Sequence, residues 1–324
     1  MLAPFGLCLT GLIALVAGAE LLTRGGTALA ARLGVSPIVI GLTVVALGTS
    51  TPELAVGVDA ALQGNGALAV GNIAGTNTVN ILLILGLSAI IRPLALRMQT
   101  LHMDLPAMIV AALLFWAMSA DGILSRRDGA ILMLVGIGYT ALIVRSARQE
   151  SRAVRRRFEK AQELTDGLRE QGSAPAQILA LLGGIAIIVA GADLFVDGAV
   201  ALARLWRVSD AFIGLTVVAI GTSSPELVTT LVSSLRGPRD IAIGNLLGSS
   251  VYNIFFILGA TCLFPASGIP VAAELIRIDI PVMVVVVLLC APIFLTGRAI
   301  TRAEGAAFVL AYAAYLTYLI VVRG

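Results

Sequence analysis

The feature that most constrains this chain is a duplication at a fixed offset of 173 residues. The segment GLTVVALGTSTPEL at 41–54 returns as GLTVVAIGTSSPEL at 214–227, identical at twelve of fourteen positions. A second segment, GNIAGTNTVNILLILG at 71–86, returns as GNLLGSSVYNIFFILG at 244–259, identical at eight of sixteen. Gly18-Ala19-Glu20-Leu21 has its counterpart in Gly191-Ala192-Asp193-Leu194 at the same offset. The fold must therefore be built from two related halves.

Both halves read as membrane-embedded. The chain is 58% hydrophobic and only 13% charged, against roughly 25% charged residues in soluble domains. A helix needs about 20 apolar residues to cross the hydrocarbon core. Spans are expected at 2–22, 37–63, 67–91, 103–120 and 128–146, then at 176–196, 210–235, 240–264, 275–296 and 304–322. The first segment lacks the basic start of a cleaved leader and has an internal counterpart, so it is read as helix 1. The reading is an all-α integral membrane protein with ten transmembrane helices in two five-helix repeats. An odd number of spans per repeat makes the second copy enter from the opposite side, giving inverted topology.

Residues 1–146 form the first repeat in this reading, 147–175 a linker and 176–324 the second repeat. Residues 145–170 hold eight Arg or Lys and five acids, with no run long enough to span. By the positive-inside rule that linker is cytoplasmic and both termini lie on the other side. Arg24, Arg32, Arg92, Arg97, Arg236, Arg239, Arg298 and Arg302 fall inside under this topology; Arg126, Arg127, Arg204, Arg207 and Arg277 fall outside, so the linker decides. A cell inner membrane is expected. The net charge of +3 offers nothing to nucleic acid, and no nucleotide-binding loop is present. Cys8, Cys262 and Cys290 lie in apolar stretches without pairing and read as buried thiols. His102 falls in a connection and reads as a surface residue.

The chemistry concentrates on Glu53 and Glu226. A carboxylate at mid-membrane costs about 2.5–3.5 kcal/mol on insertion scales, and this chain places one at equivalent points of both halves. Protonated glutamates joining helices would be the bland explanation; a bound cation is the better one. Pro52 and Pro225 lack the N–H that would bond the carbonyls of Gly48 and Gly221, so each helix must distort there and release backbone oxygen. Thr49 and Ser50 precede Glu53 on one helical face, as Thr222 and Ser223 precede Glu226. Thr76 with Asn80, and Ser249 with Asn253, add polar groups one turn apart. Gly71, Gly75, Gly244 and Gly248 read as close-packing positions. Every candidate ligand is oxygen, which favours Ca²⁺, Na⁺ or Mg²⁺ over zinc or copper.

At these motifs the chain resembles the sodium/calcium exchanger family of the cation/Ca²⁺ exchanger superfamily, in its prokaryotic form. GTSTPEL with GNIAGTNTVN is similar to that family's first α-repeat, and GTSSPEL with GNLLGSSVYN to its second. The resemblance implies that Glu53 and Glu226 are the central ligands and that Thr49 and Thr222 offer carbonyls to Ca²⁺. It implies that Ser50 and Ser223 bind Na⁺ by hydroxyl, with Thr76, Ser249 and the carbonyls of Ala46 and Ala219 completing flanking Na⁺ sites, and Asn80 and Asn253 filling the remaining polar positions. It also implies alternating access by sliding of helices 1 and 6. Two positions depart from the family pattern. Asn253 stands where some prokaryotic and the potassium-dependent members carry Asp, and Thr76 replaces the usual Ser.

The expected activity is secondary antiport of Ca²⁺ against Na⁺, with no cofactor: the transported ions Ca²⁺ and Na⁺ and the lipid bilayer are the expected partners, and a monomer is compatible with this. H⁺/Ca²⁺ exchange through the same glutamates is the alternative, and a passive cation channel a more distant one. An enzyme is not expected, because neither paired Asp motifs nor HExxH occurs.

Overall fold

The computed structural model describes residues 2–33, 35, 37–96, 98, 100–162, 174–205, 219–236 and 239–323. Its long elements are helical. In chain order they are α1 (Leu2–Leu33), α2 (Ile38–Thr49), α3 (Thr51–Leu62), α4 (Gly66–Ile91), α5 (Thr100–Ser119) and α6 (Arg126–Gln162). The second half contributes α7 (Ala174–Leu205), α8 (Ala219–Thr222), α9 (Ser224–Arg236), α10 (Asp240–Leu263), α11 (Leu275–Gly297) and α12 (Arg302–Arg323). Among the described residues eight helices are long and apolar enough to cross a membrane, and α2 with α3 forms a ninth candidate bent by 42°.

Several boundaries differ from those expected. α1 runs on to Leu33, so Arg24 lies within the helix, ion-paired one turn away with Glu20, rather than in a connection. α6, the fifth expected span, continues through the basic segment to Gln162, because Arg, Glu, Gln and Ala there are good helix formers. The rest of the linker, 163–173, and the start of the expected span at 210–218 lie outside the described residues. So do residues 214–218 of the second repeat motif.

The central helices are α4 and α10. Their spanning windows are 78% and 83% buried, against 17% to 44% for the other spans. Around them Phe5, Leu134, Leu179, Leu310 and Val321 turn large apolar side chains outward, as a lipid-facing surface requires. α1 and α7 pack on each other through glycines spaced by seven: Gly11, Gly18 and Gly25 on one, Gly184, Gly191 and Gly198 on the other. A Cβ on Gly11 would sit 2.5 Å from Phe195 N, and one on Gly18 would sit 2.9 Å from Gly184 O. Gly11 thus meets Phe195, Gly18 meets Gly184 and Gly25 meets Leu181. The two equivalent helices therefore run antiparallel. Gly244 and Gly248 likewise bring α10 against the backbone of α2, whereas Gly71 meets only the side chain of Leu275.

Short strands tie the loops together. β1 (Leu94–Ala95) pairs antiparallel with β4 (Ala299–Ile300), and β2 (Ile123–Leu124) pairs antiparallel with β3 (Ile269–Pro270). Each pairing joins one half to the other. The three free cysteines are Cys262 and Cys290, both buried, and the half-buried Cys8. His102 is exposed and bonds the carbonyl of Met98.

Candidate functional site: a buried oxygen cluster between the halves

The site begins at a helix break. α2 ends at Thr49, Ser50 leaves helical geometry at φ −85° and ψ 12°, and α3 restarts with Pro52 in its first turn. Proline supplies the reason, since its ring and missing N–H end the preceding helix. The same break recurs at Ser223, between α8 and α9. Glu53 and Glu226 therefore each stand in the first turn of a new helix. The release of carbonyl oxygen is smaller than expected at Gly48, whose carbonyl takes a backbone N–H at the helix end, as does that of Ala46.

The opposing walls come from α4 and α10. Thr76 is buried on α4, and Asn80 sits in a π-helical stretch, Val79–Leu85. Ser249 is buried on α10, and Asn253 opens the matching π-helical stretch, Asn253–Leu258. A π-turn shifts the backbone register by one residue and is common where a helix lines a site. Ala46 lies at the start of the last turn of α2. Ala219 opens α8; its backbone is described and its side chain is not.

Contacts across the halves bring these residues together. Ser50 Oγ donates to Glu226 Oε1 at 3.3 Å, and Thr49 Oγ1 donates to Asn245 Oδ1 at 3.1 Å. Within the first half, Asn72 Nδ2 donates to the backbone carbonyl of Glu53 at 3.4 Å. Glu53 and Glu226 are both fully buried, and Ser50, three residues before Glu53, reaches Glu226 across the halves.

What remains is a set of buried oxygens that the described protein groups leave unpaired. They include both carboxylate oxygens of Glu53, Oε2 of Glu226, Oγ of Ser223 and Ser249, and the amide oxygens of Asn80 and Asn253. An unpaired buried polar group costs about 1–3 kcal/mol, and more when charged.

Asn72 and Asn245 join this cluster without being among the residues expected there. The sequence does carry a signal for them: each is the second residue of its repeated GN motif, at the common offset of 173. Asn245 is fully buried and holds Thr49 on one side and, through Nδ2, Thr230 Oγ1 at 3.5 Å on the other.

An oxygen-lined acidic cluster, buried where two halves of a helical membrane protein meet, defines a cation-transport protein. The sodium/calcium exchanger protein family model matches residues 3–145 and 176–321, and the chain belongs to that family. It is thus a multi-pass membrane protein of the cation/Ca²⁺ antiporter class. It is 33% identical to the sodium/calcium exchanger MaX1 of Methanosarcina acetivorans, covering 97% of this chain and 98% of that one. It is 38% identical to the inner membrane protein YrbG of Escherichia coli, over 81% of this chain and 80% of that one. A solved structure of the sodium-calcium exchanger NCX_Mj superposes with a TM-score of 0.83 at 29% identity, covering 98% of both chains.

Proposed function

We propose that this chain exchanges Ca²⁺ for Na⁺ across the membrane by alternating access, with Glu53 and Glu226 as the shared ligands. The observation that carries this reading is the pair of fully buried carboxylates with unpaired oxygens at the junction of the halves. A charge there is tolerated only if a counter-charge arrives with it. Two carboxylates are neutralised by one Ca²⁺ or two Na⁺, so the ions compete for one site and their fluxes become coupled.

Thr49, Thr222, Ser50, Ser223, Thr76, Ser249, Asn80, Asn253, Ala46 and Ala219 complete the ligand set in this reading. Ten spans follow if α8 with α9 belongs to one crossing, as α2 with α3 does. Inverted five-helix repeats, 1–146 and 176–324, are supported by the antiparallel glycine-packed pair α1 and α7 and by the reciprocal strand pairings. The linker 147–175 then lies in the cytoplasm and both termini outside it, in an inner membrane. The relatives that are named sodium/calcium exchangers favour Na⁺ as the counter-ion over H⁺.

The test is Ca²⁺ uptake into proteoliposomes with Na⁺, K⁺ and H⁺ gradients imposed one at a time. Uptake should follow an outward Na⁺ gradient and vanish in Glu53→Gln and Glu226→Gln. Uptake that follows a pH gradient alone identifies H⁺ exchange instead, and uncoupled flux identifies a channel.

A further inference from the structure

The two halves differ along the helices that carry the glutamates. On α9, Glu226, Thr229, Thr230, Ser233 and Ser234 follow the i, i+3, i+4, i+7, i+8 spacing of a single helical face, and all are buried. The equivalent positions on α3 are Glu53, Val56, Gly57, Ala60 and Ala61. One half thus extends its acidic site into a ladder of hydroxyls toward the Arg236 end of the helix, and the other has no hydroxyl there. Packing needs do not explain the ladder, since the same fold builds the face from Val, Gly and Ala in the first copy.

The ladder is connected at both ends. Thr49 of the site bonds Asn245, and Asn245 bonds Thr230 at 3.5 Å. One turn further on, Ser233 Oγ and Thr23 Oγ1 of α1 share a hydrogen bond of 2.9 Å, which closes the seam between α9 and α1. The positions equivalent to Thr23 and Ser233 are Val196 and Ala60, so this bond has no repeat counterpart. Thr229 Oγ1 and Ser234 Oγ are buried and have no hydrogen-bond partner among the described residues. Isolated hydroxyls inside a membrane protein cost free energy unless something polar passes or binds there.

We propose that this hydroxyl face is the route by which partly dehydrated Na⁺ and Ca²⁺ travel between Glu226 and the Arg236 side of the membrane, and that the Thr23–Ser233 bond is its latch. Hydroxyls suit such a path, because they replace water around a hard cation without holding it as a carboxylate does. With the bond made, α1 is held against α9 at Ser233; when α1 moves against α9, the bond breaks and that part of the face opens to water. The route rests on the transport reading of the site, and the topology above puts its mouth in the cytoplasm.

The experiment uses Ser234→Cys and Thr229→Cys in the full chain, reconstituted in vesicles of both orientations and treated with a membrane-impermeant thiol reagent. The parent chain sets the background from its own cysteines. Ser234→Cys should react from the Arg236 side, and adding Thr23→Val should speed that reaction about two- to tenfold, the effect of one net hydrogen bond. Ala61→Cys, at the equivalent point of α3, should not react from that side. If both cysteine variants are inert from the Arg236 side, or react only from the other, there is no such route. An unchanged rate with Thr23→Val removes the latch. Labelling does not depend on the counter-ion, so failure of Na⁺/Ca²⁺ exchange in the parent chain would leave the route standing and overturn the transport reading alone.

Discussion

Tyr139 on α6 donates its phenolic hydrogen to Asp104 Oδ1 on α5 at 3.1 Å. The second half repeats the arrangement: Tyr315 on α12 donates to Asp279 Oδ1 on α11 at 2.6 Å. Each acid ends a π-helical stretch and stands two residues before a proline. These are buried acids outside the Glu53–Glu226 cluster, and each joins the last two helices of its half.

Removing the phenol of the first pair should destabilise the fold without redirecting transport. Asp104 is fully buried, so Tyr139→Phe leaves a buried carboxylate without its phenolic donor. The expected loss is about 1–3 kcal/mol, read as a lower midpoint of thermal unfolding in detergent. The apparent affinity for Ca²⁺ should stay within about twofold, because one buried hydrogen bond away from the ion alters stability rather than coordination. A large affinity change with an unchanged midpoint would place Asp104 in the ion path instead.

The glycine seam between α1 and α7 makes a sharper prediction. A methyl at Gly11 would lie 2.5 Å from a backbone nitrogen of α7, while one at Gly6 meets nothing within 4 Å. Gly11→Ala should therefore force the helices apart at a cost of about 1–3 kcal/mol. Gly6→Ala, on the same helix, should be neutral or slightly stabilising through helix propensity. Yield of monodisperse protein and its unfolding midpoint distinguish the two. Equal behaviour would mean that the seam tolerates separation and that α1 and α7 are not held as one body.

The parts of this molecule that can be read from sequence are those in which chemistry is costly or repeated. Glu53 and Glu226 stand out because a carboxylate in an apolar span demands a partner, and the proline beside each marks the helix break found at Ser50 and Ser223. The π-turns at Asn80 and Asn253 are invisible in sequence, since a shift from i+4 to i+5 bonding leaves no residue pattern. The extension of α1 past Arg24 is hidden because a charged residue near the membrane surface reads like a helix end, although Glu20 pairs with it one turn away. The glycine heptads of α1 and α7 become meaningful only with the partner in place: spacing by seven marks one face of a helix, and the fold decides what that face meets.

Ser50 offers the most direct probe of how the halves cooperate. It sits at the break before α3, three residues from Glu53, yet its hydroxyl bonds the opposite half's glutamate, Glu226, at 3.3 Å. Its repeat counterpart Ser223 has a buried hydroxyl with no partner among the described residues. Ser50→Ala should thus both remove an oxygen from the cluster and release Glu226, whereas Ser223→Ala removes an oxygen alone. Loss of one net hydrogen bond is worth about 0.5–1.5 kcal/mol, which corresponds to about a two- to tenfold change in an equilibrium. The apparent affinity for the ions driving exchange should fall by that much more in Ser50→Ala than in Ser223→Ala, measured as the half-saturating Na⁺ concentration for Ca²⁺ efflux from proteoliposomes. Ser50→Thr, which keeps the hydroxyl, should restore most of the difference. Equal losses in the two alanine variants would show that the Ser50–Glu226 bond does not persist in the ion-loaded protein, and that each half coordinates its cations independently of the other.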